Sequence, residues 1–214
     1  MDIKTQKISE WLGTGSINIF GRPFAGKDTQ GSELADIFGG VLVAGGDILR
    51  HYHNQEEIEQ IMSAGGIIPS DLYLKIVLPF LSRPDLNGKP LILSSVGRLQ
   101  GEEHTIMEAT TSSGHPIKAV VLLQLTEEEV WRRFDASLVS HDRGDRADDH
   151  RQVIKNRLHK FQNKTVPVIE FYRDKGMLIE VDGTLSPEEV TKEILDSLTS
   201  RALLDLSKAP TLPD

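Results

Sequence analysis

Five short apolar runs punctuate the chain: SINIF at 16–20, VLVA at 41–44, LILSSV at 91–96, AVVLLQL at 119–125 and MLIEVDG at 177–183. The stretches between them are long enough for helices. That alternation predicts an α/β fold, in which a five-stranded parallel sheet is covered by helices on both faces and joined by right-handed crossovers.

Helix boundaries fall where this scheme needs them. Thr126 precedes Glu127, Glu128 and Glu129, and Ser186 precedes Pro187, Glu188 and Glu189, which sets carboxylates at the positive end of each helix. Val153, Ile154, Leu158 and Phe161 recur at helical spacing within 148–174, and the helix is expected to bend or break near Pro167. Ahead of the first run, Ile8, Trp11 and Leu12 share one face of a further helix. The segment 199–214 has two prolines and little periodicity, and is expected to fray.

With 214 residues, 38% hydrophobic and 26% charged, the chain fits one globular domain. A formal charge of −8 disfavours nucleic acid as a main partner. The absence of cysteine removes disulfides, thiol chemistry and Cys-ligated zinc, and makes the cytoplasm the expected compartment. No apolar run nears the ~20 residues of a membrane span, and the opening MDIKTQKISEWLGTGS lacks an export pattern, so neither membrane nor export is expected.

The strongest chemical signal is GRPFAGKDTQ at 21–30, between the first apolar run and the helical stretch Ser32 to Phe38. A glycine-bounded loop between strand and helix can aim backbone N–H groups at phosphate oxygens. Lys27 adds a point charge, and Thr29 can reach Mg²⁺. The strict pattern has Ser or Thr directly after the lysine, whereas here Asp28 intervenes. A glycine-rich turn with an exposed lysine is the plain alternative.

Read onward, the chain resembles the adenylate kinase family from Ile17 to Leu198, in the family's motif order. GRPFAGKDTQ matches its GxPGxGKGTQ loop, and Gly45-Gly46-Asp47-Ile48-Leu49-Arg50 its TGDxLR. Gly65-Gly66-Ile67-Ile68-Pro69-Ser70-Asp71 follows. Ser94-Ser95-Val96-Gly97-Arg98 stands for DGFPR, Arg146-Ala147-Asp148-Asp149 for RxDD with Arg157 beyond it, and Val181-Asp182-Gly183 for VDG. The resemblance implies the three-layer phosphate-loop NTPase fold, with a core at 16–44, 76–133 and 147–198. A helical monophosphate-binding insert would occupy 45–75 and a short lid 134–146, with an N-terminal extension at 1–15 and a tail at 199–214. Long-lid relatives often carry a four-cysteine zinc site, so the cysteine-free chain agrees with the short form and no zinc is expected.

The activity implied is reversible, Mg²⁺-dependent transfer of a phosphoryl group from ATP to AMP, giving two ADP, by a cytoplasmic monomer. Lys27 and the loop residues Gly21, Phe24, Ala25, Gly26, Asp28 and Thr29 would hold the ATP phosphates. Thr29, and Asp28 through water, would serve the metal. Gly45, Arg50, Arg98 and Glu102 would take the monophosphate, two planar guanidiniums forking its phosphate oxygens. Arg133, Arg146 and Arg157 would close over the reacting groups and exclude water. Arg143 would compensate for Ser137, which stands where the family has a further lid arginine, while Asp148 and Asp149 orient the lid. Read singly, each arginine is as readily a solvated surface charge; their order along the chain carries the assignment.

Several positions depart from the family pattern. Phe24 and Asp28 replace loop glycines, Ser94 replaces an aspartate that supports the metal's hydration shell, Gly45 a threonine, and Glu102 a base-reading glutamine. An ionised Glu102 can only accept hydrogen bonds, which favours the exocyclic amine of AMP or CMP over UMP or dTMP, with AMP first. The departures leave open a nucleotide-binding regulator without catalysis, or a kinase for CMP, UMP or a non-nucleotide acceptor. The histidines show no metal-ligand spacing, His104 and His115 are read as structural, and Trp131 is expected to pack under the lid hinge.

Overall fold

The computed structural model describes residues 2–50, 56, 58, 60, 61, 66–140 and 150–208, with the backbone alone at 50, 140 and 208. Each apolar run is a strand: β1 (Ser16–Gly21), β2 (Val41–Ala44), β3 (Leu91–Ser94), β4 (Ile117–Gln124) and β5 (Leu178–Asp182). Their order across the sheet is β2-β3-β1-β4-β5, parallel throughout. β1 lies at the centre, with Ile17 beside Ile92 on one side and Ala119 on the other. All six of its residues are buried, which is why it reads as a continuous run rather than an alternating one. Asn18, polar within that run, is satisfied: its side-chain amide donates to Val96 O at 2.8 Å and ties β1 to the turn after β3.

The helices with defined bounds among the described residues are α1 (Ile3–Leu12), α2 (Lys27–Phe38), α3 (Gly45–Arg50), α4 (Ser70–Leu81), α5 (Glu102–Ser112), α6 (Glu127–Ser140), α7 (Arg151–Lys160), α8 (Val166–Asp174) and α9 (Pro187–Lys208). They build two cores. One joins α1, α2, α6, α7 and α9 to one face of the sheet, and the other joins α3, α4, α5 and α8 to the opposite face. This is the expected three-layer architecture. Among the described residues no helix is long and apolar enough to cross a membrane.

The expected starts of α6 and α9 have physical caps. Thr126 Oγ1 accepts from Glu129 N at 3.2 Å, and Ser186 and Glu189 exchange side-chain-to-backbone hydrogen bonds at 3.3 and 3.0 Å. The break near Pro167 is a π-type turn, Phe161–Thr165, between α7 and α8, and the proline sits in the first turn of α8 where its missing N–H is harmless.

One expectation needs correction. The segment from residue 199 onward does not fray at its start, because α9 runs to Lys208 with Leu198 and Ala202 fully buried. Packing against α1 holds it there: Trp11 Nε1 donates to Asp205 at 3.1 Å and Lys4 pairs with Asp196 at 2.7 Å. Residues 209–214 lie outside the described residues. α6 continues unbroken through 134–140 with Phe134 in the core, so the first residues of the 134–146 segment are helical. Trp131 packs edge-on against Phe134 beneath the Arg151 guanidinium. His115 is buried with Nδ1 2.8 Å from Thr14 O, while His104 lies within α5, edge-on to Phe171.

Candidate active site

A cavity of about 810 Å³ opens at the carboxyl ends of β1 to β3, walled by the 21–30 loop, the starts of α3 and α4, and one face each of α6 and α7. In parallel sheets, ligand sites form at this edge, where loops diverge from neighbouring strands. Gly21, Phe24, Gly26, Lys27, Asp28 and Thr29 line its loop wall, and Gly45, Arg98, Glu102, Arg133 and Arg157 also face it. The side chain of Arg50 lies outside the described residues, as do Arg143, Arg146, Asp148 and Asp149.

The loop is shaped by left-handed residues. Gly26, at φ +85°, turns the chain into α2. Lys27 Nζ donates to the carbonyls of Gly21 and Arg22 at 3.0 and 2.9 Å, so the ammonium is drawn over the loop rather than out to solvent. Ala25 differs from expectation: its side chain is in the core and its N–H donates to Arg22 O at 3.2 Å, which closes a tight turn and engages an amide expected to bind phosphate.

Phe24 has φ +63°, the conformation a glycine would adopt freely. Its ring meets Phe134 edge-on at 5.8 Å. Phe24→Gly should relieve about 1 to 2 kcal/mol of backbone strain. It should forfeit about 1 kcal/mol of ring contact, a similar amount of partial burial, and about 0.5 to 1 kcal/mol through the freer unfolded chain. The losses win by about 1 kcal/mol, and denaturant unfolding should show a lower midpoint. A raised midpoint would mean that the strain outweighs the packing.

Arg133 lines the cavity and has partners of its own. Its guanidinium donates to Phe24 O at 3.1 Å, Gly183 O at 2.6 Å and Glu129 at 2.8 Å, so it braces the loop from α6. Hydrogen bonds from Arg132 and then Arg133 hold the Glu129 carboxyl at about 2, below its ordinary 4.5. A depressed carboxyl stabilises the fold above its unfolded pKa, and that contribution disappears as pH falls from about 4.5 toward about 2. Urea melts between pH 5 and 3 should therefore decline less steeply for Glu129→Gln than for the unaltered chain; equal slopes would sever the link.

Asp28 turns inward. Ser94 Oγ, at the end of β3, donates to its Oδ1 at 2.8 Å, so the carboxylate that replaces one glycine faces the serine that replaces the strand-end aspartate. Ser95, next along, also holds positive φ, at +52°.

On the opposite wall, Glu102 is 1% exposed and both its oxygens are engaged, one by Ser70 Oγ at 2.8 Å and one by Leu99 N at 3.1 Å. It thus braces the start of α5 against the start of α4 as well as facing the cavity. Burial raises its pKa. Sequence reasoning missed Lys160, which lines the cavity one turn beyond Arg157; desolvation, then the nearby charges of Arg98 and Arg157, lowers its pKa. Cations crowded around one cavity suit an anion. The i, i+3 spacing of Arg157 and Lys160 was the available signal.

The family model for adenylate kinase matches residues 19–177, spanning the loop, both cavity walls and most of the sheet. The chain belongs to the adenylate kinase family. It is 34% identical over 183 residues to an adenylate kinase of Synechococcus sp. (strain WH7803), covering 83% of this chain and 95% of that protein. An adenylate kinase of Leifsonia xyli subsp. xyli is 32% identical over 194 residues (88% and 96%), and one of Thermus thermophilus 31% over 193 residues (87% and 99%). As an adenylate kinase family member, the chain is similar to these relatives along nearly their whole length. Its departures at Phe24, Asp28, Ser94 and Glu102 are thus substitutions within a site, not signs of a different fold.

Proposed function

We propose that this protein is a nucleoside monophosphate kinase that converts ATP and AMP reversibly into two ADP. The observation that carries the reading is one cavity lined both by a lysine-bearing loop and by Arg98, Arg157 and Lys160, within a chain of the adenylate kinase family. Phosphoryl transfer asks mainly that two anionic ligands be held in line and their charge screened from both sides. On this reading Lys27 and the amides that follow Gly26 take the donor phosphates, and Arg98 forks the acceptor phosphate. Arg157 and Lys160 face the reacting groups, while Arg133 acts through Phe24 by fixing the loop. The insert at 45–75 would serve the acceptor side and the lid at 134–146 the donor side.

Among the described residues no group of three or more His, Asp or Glu could hold a metal by itself. The cavity instead offers the Thr29 hydroxyl and the inward Asp28 carboxylate, a donor set suited to Mg²⁺, which keeps waters and takes substrate phosphate oxygens. When bound, Mg²⁺ would neutralise charge on the donor phosphates. The Asp28–Ser94 hydrogen bond would keep the carboxylate on the metal's side of the loop and away from the phosphates.

An ADP-coupled assay with ATP, Mg²⁺ and each monophosphate tests the function. Two ADP per AMP consumed is the expected result. Tight ATP binding without turnover of any monophosphate would instead mark a nucleotide-binding regulator.

A further inference from the structure

Tyr73, on α4, is 6% exposed and faces the acceptor wall of the cavity. Its Oη accepts from Gly97 N at 3.1 Å. A phenol that accepts through its oxygen still has a proton to give, and among the described residues no acceptor meets it. Burial raises its pKa above that of an ordinary phenol, so it stays a donor throughout the working pH range. Gly45 makes the room: a Cβ there would lie 3.1 Å from Tyr73 Oη. On the same wall, Glu102 presents a carboxylate whose charge is felt at Tyr73. Ser70 and Leu99 N each occupy one site on a Glu102 oxygen, and a carboxylate has about four.

Resting on the proposed kinase reading, we propose that Tyr73 determines acceptor specificity by donating its phenolic proton to a ring nitrogen of the acceptor base, while Glu102 accepts from the adjacent exocyclic amine. A donor beside an acceptor complements N1 and the 6-amino group of adenine. A 6-oxopurine reverses both partners: its N1–H faces the phenol proton, and its O6 faces the carboxylate. AMP therefore binds and IMP or GMP is rejected, because each mismatched polar contact leaves a buried group unpaired.

Calorimetric binding of AMP and of 1-deazaadenosine monophosphate, which has carbon in place of N1 and keeps the amine, isolates the phenol's contact. The unaltered chain should bind the deaza analogue at least about tenfold more weakly than AMP. Tyr73→Phe should bind the two within about twofold of each other, with KM for AMP rising far more than kcat falls. Because both ligands are compared on one variant, any loss of stability from the unpaired Gly97 N–H cancels. Equal affinities in the unaltered chain, or discrimination that survives Tyr73→Phe, would overturn the assignment. Discrimination without turnover would overturn the kinase reading alone, turnover without discrimination the Tyr73 assignment alone, and failure to bind AMP would overturn both.

Discussion

Lys27→Met should fold normally yet lose about a thousandfold in kcat/KM, about 4 kcal/mol at 1.36 kcal/mol per decade. The ammonium already lies over the loop, held by the carbonyls of Gly21 and Arg22, at the point where the chain turns into α2. Anionic donor phosphates seated on that helix start would draw it the remaining distance, and as the transferring group separates the charge it meets grows. Methionine keeps the apolar stem and removes the ammonium, with its charge and its hydrogen bonds to the Gly21 and Arg22 carbonyls. Coupled kinetics checks the loss and thermal unfolding checks the fold. Turnover near that of the unaltered chain would take the loop out of the donor site.

The second large effect is expected at Arg98. Arg98→Ala should lose about a hundredfold in kcat/KM, most of it as a raised KM for AMP with the KM for ATP little changed, because on the proposed reading Lys27 and its loop, not Arg98, hold the donor phosphates. Arg98→Lys should recover only part of the loss, since a point charge cannot fork two phosphate oxygens. Initial rates with each substrate varied separately decide the matter. An unaltered KM for AMP would leave Arg98 with no part in holding the acceptor.

The strands were legible because burial on both faces leaves a clear mark, the unbroken apolar run of Ala119 to Leu123 or the run Ile17 to Phe20, interrupted only by Asn18. Helix starts at Thr126 and Ser186 were legible because capping is local chemistry. The order of the strands was not, since nothing in SINIF says that β3 and β4 flank it. The length of α9 was missed for a related reason: its last turns are held by Trp11 and Ile8 of a helix almost two hundred residues away, a partner that local periodicity cannot show. At the site, the loop and Arg98 were readable as motifs. Whether Asp28 points in or out, and whether Arg133 braces or clamps, depends on groups brought together only by folding: Ser94, Phe24 and Gly183. Tyr73 carried no signal at all until Gly45 was seen to make room for it.

The sheet order has a consequence in time. β1 precedes the other four strands of the sheet along the chain, yet it sits in the middle, and both its neighbours come later: β3 begins some seventy residues on and β4 about a hundred. Until β4 emerges, the backbone of a fully buried strand has at least one open edge, and α1 waits longer still for α9. The core that α1 helps to build is therefore incomplete until α9 is made. Long-range closure of this kind is slow, and it exposes a sticky edge while it lasts. Fragments that stop short of α9 should accordingly be far more prone to aggregate than their length alone would suggest.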